Sequence, residues 1–227
     1  MSVLCVSGTD TDVGKTIVTA AISATWRSRG KTVVVYKPTQ TGVTDDQPGD
    51  VAVISQLADV PGYDGVRLQA AMAPRPAAVL EDATLPTLDD HIARIHGLQE
   101  SSDVVLVEGA GGLLVELTEA GDTIATLAGV LDAPVVVVVR SALGTLNHTA
   151  LTLEALQARG IRPLGLVIGS WPVEPSLVET SNRADFEAGS VALLGAIPAG
   201  AGALSRDDFV TRAPGWLPGL PAVSGQE

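Results

Sequence analysis

The chain has 227 residues, a net charge of −12 and 46% apolar residues, which is enough apolar material for one domain with a buried core. Its acidic balance excludes wrapping around nucleic acid, because phosphate binding needs a basic face. No apolar run approaches the roughly 18 residues of a membrane span, so we expect no membrane partner. The first ten residues have no basic leader, and the single cysteine, Cys5, fits a reducing compartment, so we expect a cytoplasmic protein.

Short β-branched runs predict strands along the chain, and helical stretches fall between them. In chain order, strands are predicted at 3–7, 32–36, 103–107, 134–139, 164–168 and 192–197, and helices at 17–29, 51–58, 88–99, 123–130, 146–159 and 177–188. The strand runs are continuously apolar, which is typical of a parallel sheet buried on both faces. This alternation predicts a single doubly wound α/β domain over 1–227, with a mostly parallel sheet covered by helices on both faces.

Three further features receive structural interpretations. The stretch 213–227 is rich in Pro and Gly, and we expect an extended or frayed tail. His91 and His96 lie five apart on a predicted helix, a poor spacing for one shared metal, so both are expected at the surface. Cys5 lies in the first strand and is expected to be a buried structural thiol.

The first candidate site segment follows the first strand, since ligands in such a sheet bind at the carboxyl ends of strands. This segment is Gly8-Thr-Asp-Thr-Asp-Val-Gly-Lys-Thr16, and a helix follows it. The pattern predicts a phosphate loop with Lys15 on the β- and γ-phosphates and Thr16 on Mg²⁺. Five residues rather than four separate Gly8 from Gly14, so the loop is a variant, and the alternative is an ordinary glycine turn.

Acidic and basic side chains follow other predicted strands. Glu108 comes directly after the third strand and is either a magnesium ligand or a solvent-facing acid. Gly109 and Gly111 beside it let the backbone approach a ligand closely, which favours the ligand interpretation. Lys37 follows the second strand and is either a phosphate-binding or a solvated lysine. Asp50 opens the next helix and is either a second magnesium ligand or only an N-cap.

Taken together, these loops resemble the dethiobiotin synthetase family of P-loop enzymes. The matching segments keep the same order over about residues 3–200: the phosphate loop, Tyr36-Lys37-Pro38 with Thr41-Gly42, Val107-Glu108-Gly-Ala-Gly-Gly112, and Leu143-Gly144 with Asn147-His148. The resemblance implies a P-loop NTPase-like fold. It also implies a ligase that uses ATP, Mg²⁺ and CO₂ to close the cyclic urea of dethiobiotin on 7,8-diaminopelargonate, by way of a carbamate and a carbamic–phosphoric anhydride.

The resemblance also implies roles for individual residues. The catalytic residues would be Lys37, Lys15 and Thr11, and the magnesium ligands Thr16, Asp50 and Glu108. Nucleotide contacts are implied for Asp12, Val13, Gly14, Lys15, Thr16, Ile17, Asp50, Glu108, Gly109, Ala110, Gly111, Gly169, Ser170, Pro198, Ala199 and Gly200. Substrate contacts are implied for Thr41, Ala73, Pro74, Leu143, Gly144, Leu146 and Asn147.

The segment from Leu143 to Asn147 carries a further implication. In the family this loop comes from the neighbouring subunit, so the resemblance implies a homodimer with shared sites. Backbone N–H groups at the start of the following helix suit the carboxylate of the substrate. A helix-capping role for Asn147 is the competing interpretation, and the two roles are compatible.

One departure from the family concerns the nucleotide base. Relatives often carry Asn-Asp after the fifth predicted strand, where this chain has Ile168-Gly169-Ser170-Trp171. Gly169 has no side chain to read a base, so we expect a looser choice among nucleoside triphosphates than ATP alone.

The alternative function is a partitioning-type switch ATPase on the same fold. Those proteins carry an extra lysine early in the phosphate loop, and this sequence has Asp10 at that position. They often use a membrane-binding or DNA-binding surface as well, which the acidic balance does not supply.

Overall fold

A parallel sheet forms the centre of the molecule. Over residues 2–44 and 46–223, which the computed structural model describes, the chain forms seven strands and eight α-helices. The strands are β1 (Val3–Gly8), β2 (Val33–Gln40), β3 (Gly62–Arg67), β4 (Val104–Gly112), β5 (Val135–Val139), β6 (Pro163–Trp171) and β7 (Leu193–Pro198). The helices are α1 (Lys15–Ser28), α2 (Asp50–Ala58), α3 (Pro74–Glu81), α4 (Leu88–Gln99), α5 (Ile124–Val130), α6 (Thr145–Gln157), α7 (Leu177–Ala188) and α8 (Arg206–Trp216).

The order of the strands places β1 in the middle of the sheet. The order is β3-β2-β4-β1-β5-β6-β7, and every neighbouring pair is parallel. The chain runs from β1 to β2 and β3 on one side, returns to β4, and then passes to β5, β6 and β7 on the other. This reversal confirms the doubly wound α/β class and leaves a crevice at the carboxyl end of β1.

Both faces of the sheet are buried. Along β1, Leu4 and Val6 face a core shared with α1, α2 and α8, whereas Val3 and Cys5 face a core shared with α4, α5, α6 and α7. A strand covered on both sides needs apolar residues at every position, which explains the continuous apolar runs. Burial raises the pKa of the Cys5 thiol to about 12, so Cys5 is an inert structural thiol, as expected.

The strand β3 and the helices α3 and α8 have no counterpart in the predicted elements. Side chains of β3 alternate between partly buried and exposed, because β3 is the edge strand and pairs only with β2. Two glycines further weaken its sequence signal. A side chain at Gly65 would overlap the backbone oxygen of Pro38, so close approach to β2 requires glycine there.

The expectation of an extended or frayed tail from residue 213 is wrong for residues 213–216, and residues 217–223, which form no helix or strand, are packed rather than frayed. Residues 213–216 complete α8, and Leu217 and Leu220 are buried in the core on the α1 side of the sheet. The indole nitrogen of Trp26 donates a hydrogen bond to the backbone oxygen of Pro221 at 3.0 Å. Apolar contacts with α1 therefore fix this segment despite its Pro and Gly content. Residues 224–227 lie outside the described residues.

The expectation that His91 lies at the surface is also wrong. It is 1% exposed, and its Nδ1 shares a 2.7 Å hydrogen bond with the hydroxyl of Tyr36. Its Nε2 has no partner within the described part of the chain. Burial lowers the pKa of His91, against the smaller opposing effects of Asp90 and Asp122. His96, on the same helix, is exposed as expected.

This burial predicts a pH-dependent stability. In the unfolded chain a histidine takes up a proton near pH 6.5, whereas folded His91 stays neutral to lower pH. The stabilisation from neutral His91 is therefore complete above about pH 6.5 and is lost as the pH falls through the folded pKa. His91→Gln keeps a partner for Tyr36 but cannot titrate. We expect the unfolding free energies of wild type and variant to converge by up to about 1.4 kcal/mol per pH unit below 6.5.

Urea unfolding between pH 5 and 8 measures this difference. His96→Gln is the matched control, and it should keep a constant offset from wild type. A constant offset for His91→Gln as well would show that His91 does not carry the effect.

Candidate active site

A cleft of about 850 Å³ opens at the carboxyl ends of β1, β2 and β4. It brings together predicted site residues from five stretches of the chain, namely Thr11, Asp12, Gly14, Lys15, Thr16, Ile17, Lys37, Thr41, Asp50, Ala73, Pro74, Ala110 and Gly111. Its wall also includes Thr39 and Gln40, which sequence reasoning missed. Strand β2 runs four residues beyond its predicted end. The polar residues that follow Lys37 in the sequence could have indicated that this segment also lines the site.

The phosphate loop joins β1 to α1 and curls over the first turn of that helix. Gly14 is the N-cap of α1 with φ 94°, a left-handed conformation that glycine adopts without strain, and no side chain caps the helix. Free backbone N–H groups at a helix start bind anions. Lys15 reaches back over the loop, and its Nζ donates to the backbone oxygen of Asp10 at 2.8 Å. An uncapped helix start with a lysine folded back beside it is a geometry that suits an anion.

Lys37 lies between two carboxylates. Its Nζ is 2.8 Å from Oδ2 of Asp50 and 3.0 Å from Oε1 of Glu108. Lys37 is 3% exposed and Glu108 is 0% exposed, so neither the solvated lysine nor the solvent-facing acid describes them. A buried charge is stable only when it is paired, and each partner here stabilises the other.

The pKa shifts agree with this charge arrangement. Burial alone would lower the pKa of Lys37, but Glu108 and Asp50 outweigh it and raise that pKa above its usual value. Burial also opposes ionisation of Asp50, yet the charge of Lys37 and its hydrogen bond outweigh burial and bring the pKa of Asp50 below the ordinary range. Burial lowers the pKa of Lys15. The charge of Glu108 opposes this effect without outweighing it, and the charge of Lys37 adds to it.

Three oxygen-bearing side chains meet beside the phosphate loop. The hydroxyl of Thr16 donates to Oε1 of Glu108 at 3.3 Å and also interacts with Asp50. Oε2 of Glu108 is buried without a hydrogen-bond partner within the described residues. An orphaned buried carboxylate oxygen beside two further hard oxygens fits Mg²⁺, which binds one or two carboxylates and completes its shell with phosphate and water. In the described ranges no cluster of three or more His, Cys, Asp or Glu could hold a metal by itself.

The N-cap interpretation of Asp50 is wrong. The N-cap of α2 is Gly49, and Asp50 is the first helical residue. The Asp50 carboxylate points at Lys37 rather than at the backbone of its own helix.

The loop from Leu143 to Asn147 does not line the cleft. Leu143 is 87% exposed, and Leu146 and Asn147 are exposed at the start of α6. Gly144 is the N-cap of α6 and no side chain caps the helix, so Asn147 is not its capping residue. Pro198 is the last residue of β7, and Ala199 and Gly200 form the turn after it. All three are exposed and lie outside the cleft.

Gly169 packs against the phosphate loop. A side chain there would overlap the backbone oxygen of Val13, and a side chain at Gly14 would lie 2.6 Å from the backbone oxygen of Gly169. Two backbones therefore meet where these glycines stand. Ser170, next along β6, is exposed and lines a separate cleft of about 230 Å³.

Arg140 is a supporting residue that the motif reasoning did not assign. Its guanidinium donates to the backbone oxygen of Thr11 at 2.8 Å and pairs with Asp10 at 3.2 Å. Arg140 follows β5, the neighbour of β1, and therefore braces the phosphate loop from the side. An arginine directly after a strand adjacent to the loop was the available signal.

No helix within 2–44 and 46–223 combines the length and the apolar character needed to cross a membrane.

Comparison with known proteins gives two kinds of similarity. A family model described as an AAA domain matches residues 2–202. The ATP-dependent dethiobiotin synthetase BioD of Rhodococcus erythropolis (strain PR4) is 50% identical over 220 residues, which is 96% of this chain and 97% of that protein. The enzyme of the same name from Mycobacterium avium (strain 104) is 50% identical over 210 residues, 92% of each chain.

Among solved structures, the septum site-determining protein MinD from Pyrococcus horikoshii, in complex with Mg-ADP, superposes with a TM-score of 0.58. The match covers 93% of this chain and 94% of that one at 17% identity. At this identity the likeness supports the fold alone.

Proposed function

Because this chain belongs to the family of ATP-dependent dethiobiotin synthetases, we propose that the cleft beside β1 is where its reaction takes place. The activity is that of the family: a ligase joins CO₂ to the two amines of 7,8-diaminopelargonate and uses ATP to close the ring. The observation that carries the placement is Lys37, buried between Asp50 and Glu108 beside the phosphate loop.

The reaction requires two anions to approach each other. One amine adds to CO₂ and loses a proton, which gives a carbamate. A carbamate oxygen attacks the γ-phosphorus of the nucleotide, and the bond to the diphosphate breaks. The second amine then attacks the carbamate carbon, and phosphate leaves as the ring closes. Positioning and positive charge supply most of the catalysis in phosphoryl transfer.

The residues of the cleft fit these requirements. Lys15 would hold the transferred phosphoryl group, and Lys37 would bridge that group and the carbamate, with Thr11 beside them. Thr41, Ala73 and Pro74 line the same cleft and would contact the diamine. The backbone N–H groups at the start of α1 would bind the nucleotide phosphates.

Thr16, Asp50 and Glu108 would hold Mg²⁺. When bound, the ion would neutralise charge on the phosphates. Their side chains meet beside Lys15, so the metal and the phosphate loop would act on the same group.

A homodimer with shared sites accounts for the loop from Leu143 to Asn147. Leu143 before α6 and Leu146 and Leu151 in its first half expose apolar side chains, and the loop lies outside the cleft of its own chain. In a dimer this loop would reach the cleft of the partner subunit, where the uncapped start of α6 suits a carboxylate. Sedimentation at micromolar concentration is expected to give twice the chain mass, and Leu143→Asp is expected to give the monomer. A monomeric wild type would contradict this arrangement.

We place the protein in the cytoplasm. Its lone cysteine is a buried thiol, and a reducing compartment suits such a chain.

The switch-ATPase alternative is less well supported. Its support is a fold-level likeness at 17% identity. Asp10 occupies the position of the extra lysine and pairs with Arg140.

One assay tests the proposed function and the nucleotide choice together. The protein is mixed with 7,8-diaminopelargonate, bicarbonate, Mg²⁺ and ATP, and dethiobiotin is detected by mass. We expect product with ATP, CTP and GTP at comparable rates, because Gly169 has no side chain that could select a base. Absence of product would contradict the function, and a preference for ATP of about a thousand-fold would contradict only the nucleotide choice.

A further inference from the structure

Gln40 lies at the end of β2, three residues after Lys37, and is buried with 4% exposure. Both ends of its side-chain amide are used. Oε1 accepts a hydrogen bond from the backbone N–H of Asp50 at 2.7 Å, and Nε2 donates to the backbone oxygen of Thr41 at 3.0 Å. The amide is therefore fixed in one orientation.

The bond to Asp50 replaces a missing helix cap. The first N–H groups of a helix have no partner within the helix, and a side chain at the N-cap usually accepts from one of them. The N-cap of α2 is Gly49, which has no side chain, so Gln40 supplies the acceptor from a different element.

Gly49 leaves the space that this arrangement needs. A Cβ at position 49 would lie 2.9 Å from Oε1 of Gln40 and 2.9 Å from Nη1 of Arg67. Its φ of −79° is one that any residue adopts, so a larger residue here would be opposed by contact with these two side-chain ends and not by backbone conformation.

Strand β2 thus holds Asp50 at two points. Lys37 pairs with its carboxylate at 2.8 Å, and Gln40 holds its backbone. A shift of the start of α2 would move that carboxylate away from Lys37, Thr16 and the oxygen set that fits Mg²⁺.

We propose that Gln40 is a positioning residue that fixes the Asp50 carboxylate for metal and lysine. The inference rests on the proposed metal site, and it assigns Gln40 no contact with the reacting atoms. Partners that orient metal ligands typically contribute about 10- to 100-fold to metal affinity or activity.

The test measures the Mg²⁺ dependence of ATP binding by calorimetry, with turnover as a second readout. Gln40→Met keeps the size of the side chain and removes both hydrogen bonds. We expect the Mg²⁺ concentration for half-maximal ATP binding to rise roughly 10-fold, a larger change than any in the KM for 7,8-diaminopelargonate. Gln56→Met, at an exposed glutamine on α2, is the matched control and should behave as wild type.

Gly49→Ala tests the same bond from its other side. The added methyl group presses on Oε1 of Gln40 without altering a cleft residue, so it should shift the Mg²⁺ dependence in the same direction. If Gln40→Met fails to fold, this variant decides the question alone.

Three results would overturn the inference: an unchanged Mg²⁺ dependence in both variants, wild-type ATP binding that does not respond to Mg²⁺, or a raised diamine KM in Gln40→Met with unchanged Mg²⁺ dependence. A wild type that binds Mg-ATP but makes no dethiobiotin would refute the proposed function, and the binding comparison would still decide the role of Gln40.

Discussion

Lys37→Met is expected to lower dethiobiotin formation by roughly 10³-fold or more, the scale on which a cation at a transferred phosphoryl group acts. The loss follows from geometry, because Lys37 is the buried cation that faces both Asp50 and Glu108. Nucleotide should still bind, since the phosphate loop and Lys15 are untouched. Product is measured by mass, and nucleotide binding by calorimetry.

The variant also leaves Glu108 buried without its cation. Removing one partner of a buried ion pair costs about 3–5 kcal/mol, so a lower melting temperature is expected, with partial recovery when Mg-ATP is present. Lys31→Met is the matched control, since Lys31 lies at the opposite end of the sheet, just before β2. A folded Lys37→Met variant that turns over at the wild-type rate would refute the assigned role.

Gly169→Ala is expected to weaken nucleotide binding by roughly 10- to 100-fold and to lower the melting temperature. One methyl group has this effect because it would overlap the backbone oxygen of Val13, and backbone moves less easily than a side chain. Overpacking of this kind typically costs about 1–3 kcal/mol, and each 1.4 kcal/mol is a factor of about ten in affinity.

Gly97→Ala is the control for adding a methyl group. Gly97 lies inside α4 with nothing within 4 Å of a built Cβ, so alanine should stabilise the helix by about 0.5–1 kcal/mol and leave nucleotide binding unchanged. Wild-type nucleotide affinity in Gly169→Ala would mean that the phosphate loop is not seated on β6.

The predicted strands were correct where every side chain of a strand is buried. Segments in which buried and exposed side chains are mixed were missed or misinterpreted. Strands such as β5, five valines buried on both faces, carry an unmistakable apolar run. The edge strand β3 alternates and contains glycine, so its pairing with β2 is decided by tertiary contact rather than by its own sequence. The end of the chain has turn-forming residues, yet packing against α1 overrides them.

The prediction of the candidate site was likewise correct for some residues and incomplete for others. The cleft residues follow strand ends, where sequence order and space coincide, and the structure brings most of them together. Gln40 and Arg140 act by holding backbone atoms of other segments. Their places at strand ends are visible in the sequence, but the backbone atoms that they hold are not. Gly169 was interpreted through a side chain that it lacks, whereas its position depends on the distance between two backbones.

The scarcity of lysine makes this cleft unusually easy to observe by spectroscopy. The whole chain has three lysines, and two of them, Lys15 and Lys37, are the buried cations of the cleft, while Lys31 is only partly buried outside it. Protein grown with ¹⁵N-lysine would give three side-chain ammonium resonances in an NMR spectrum. Two of these would report on the arrival of phosphate and carbamate, and the third would serve as an internal reference.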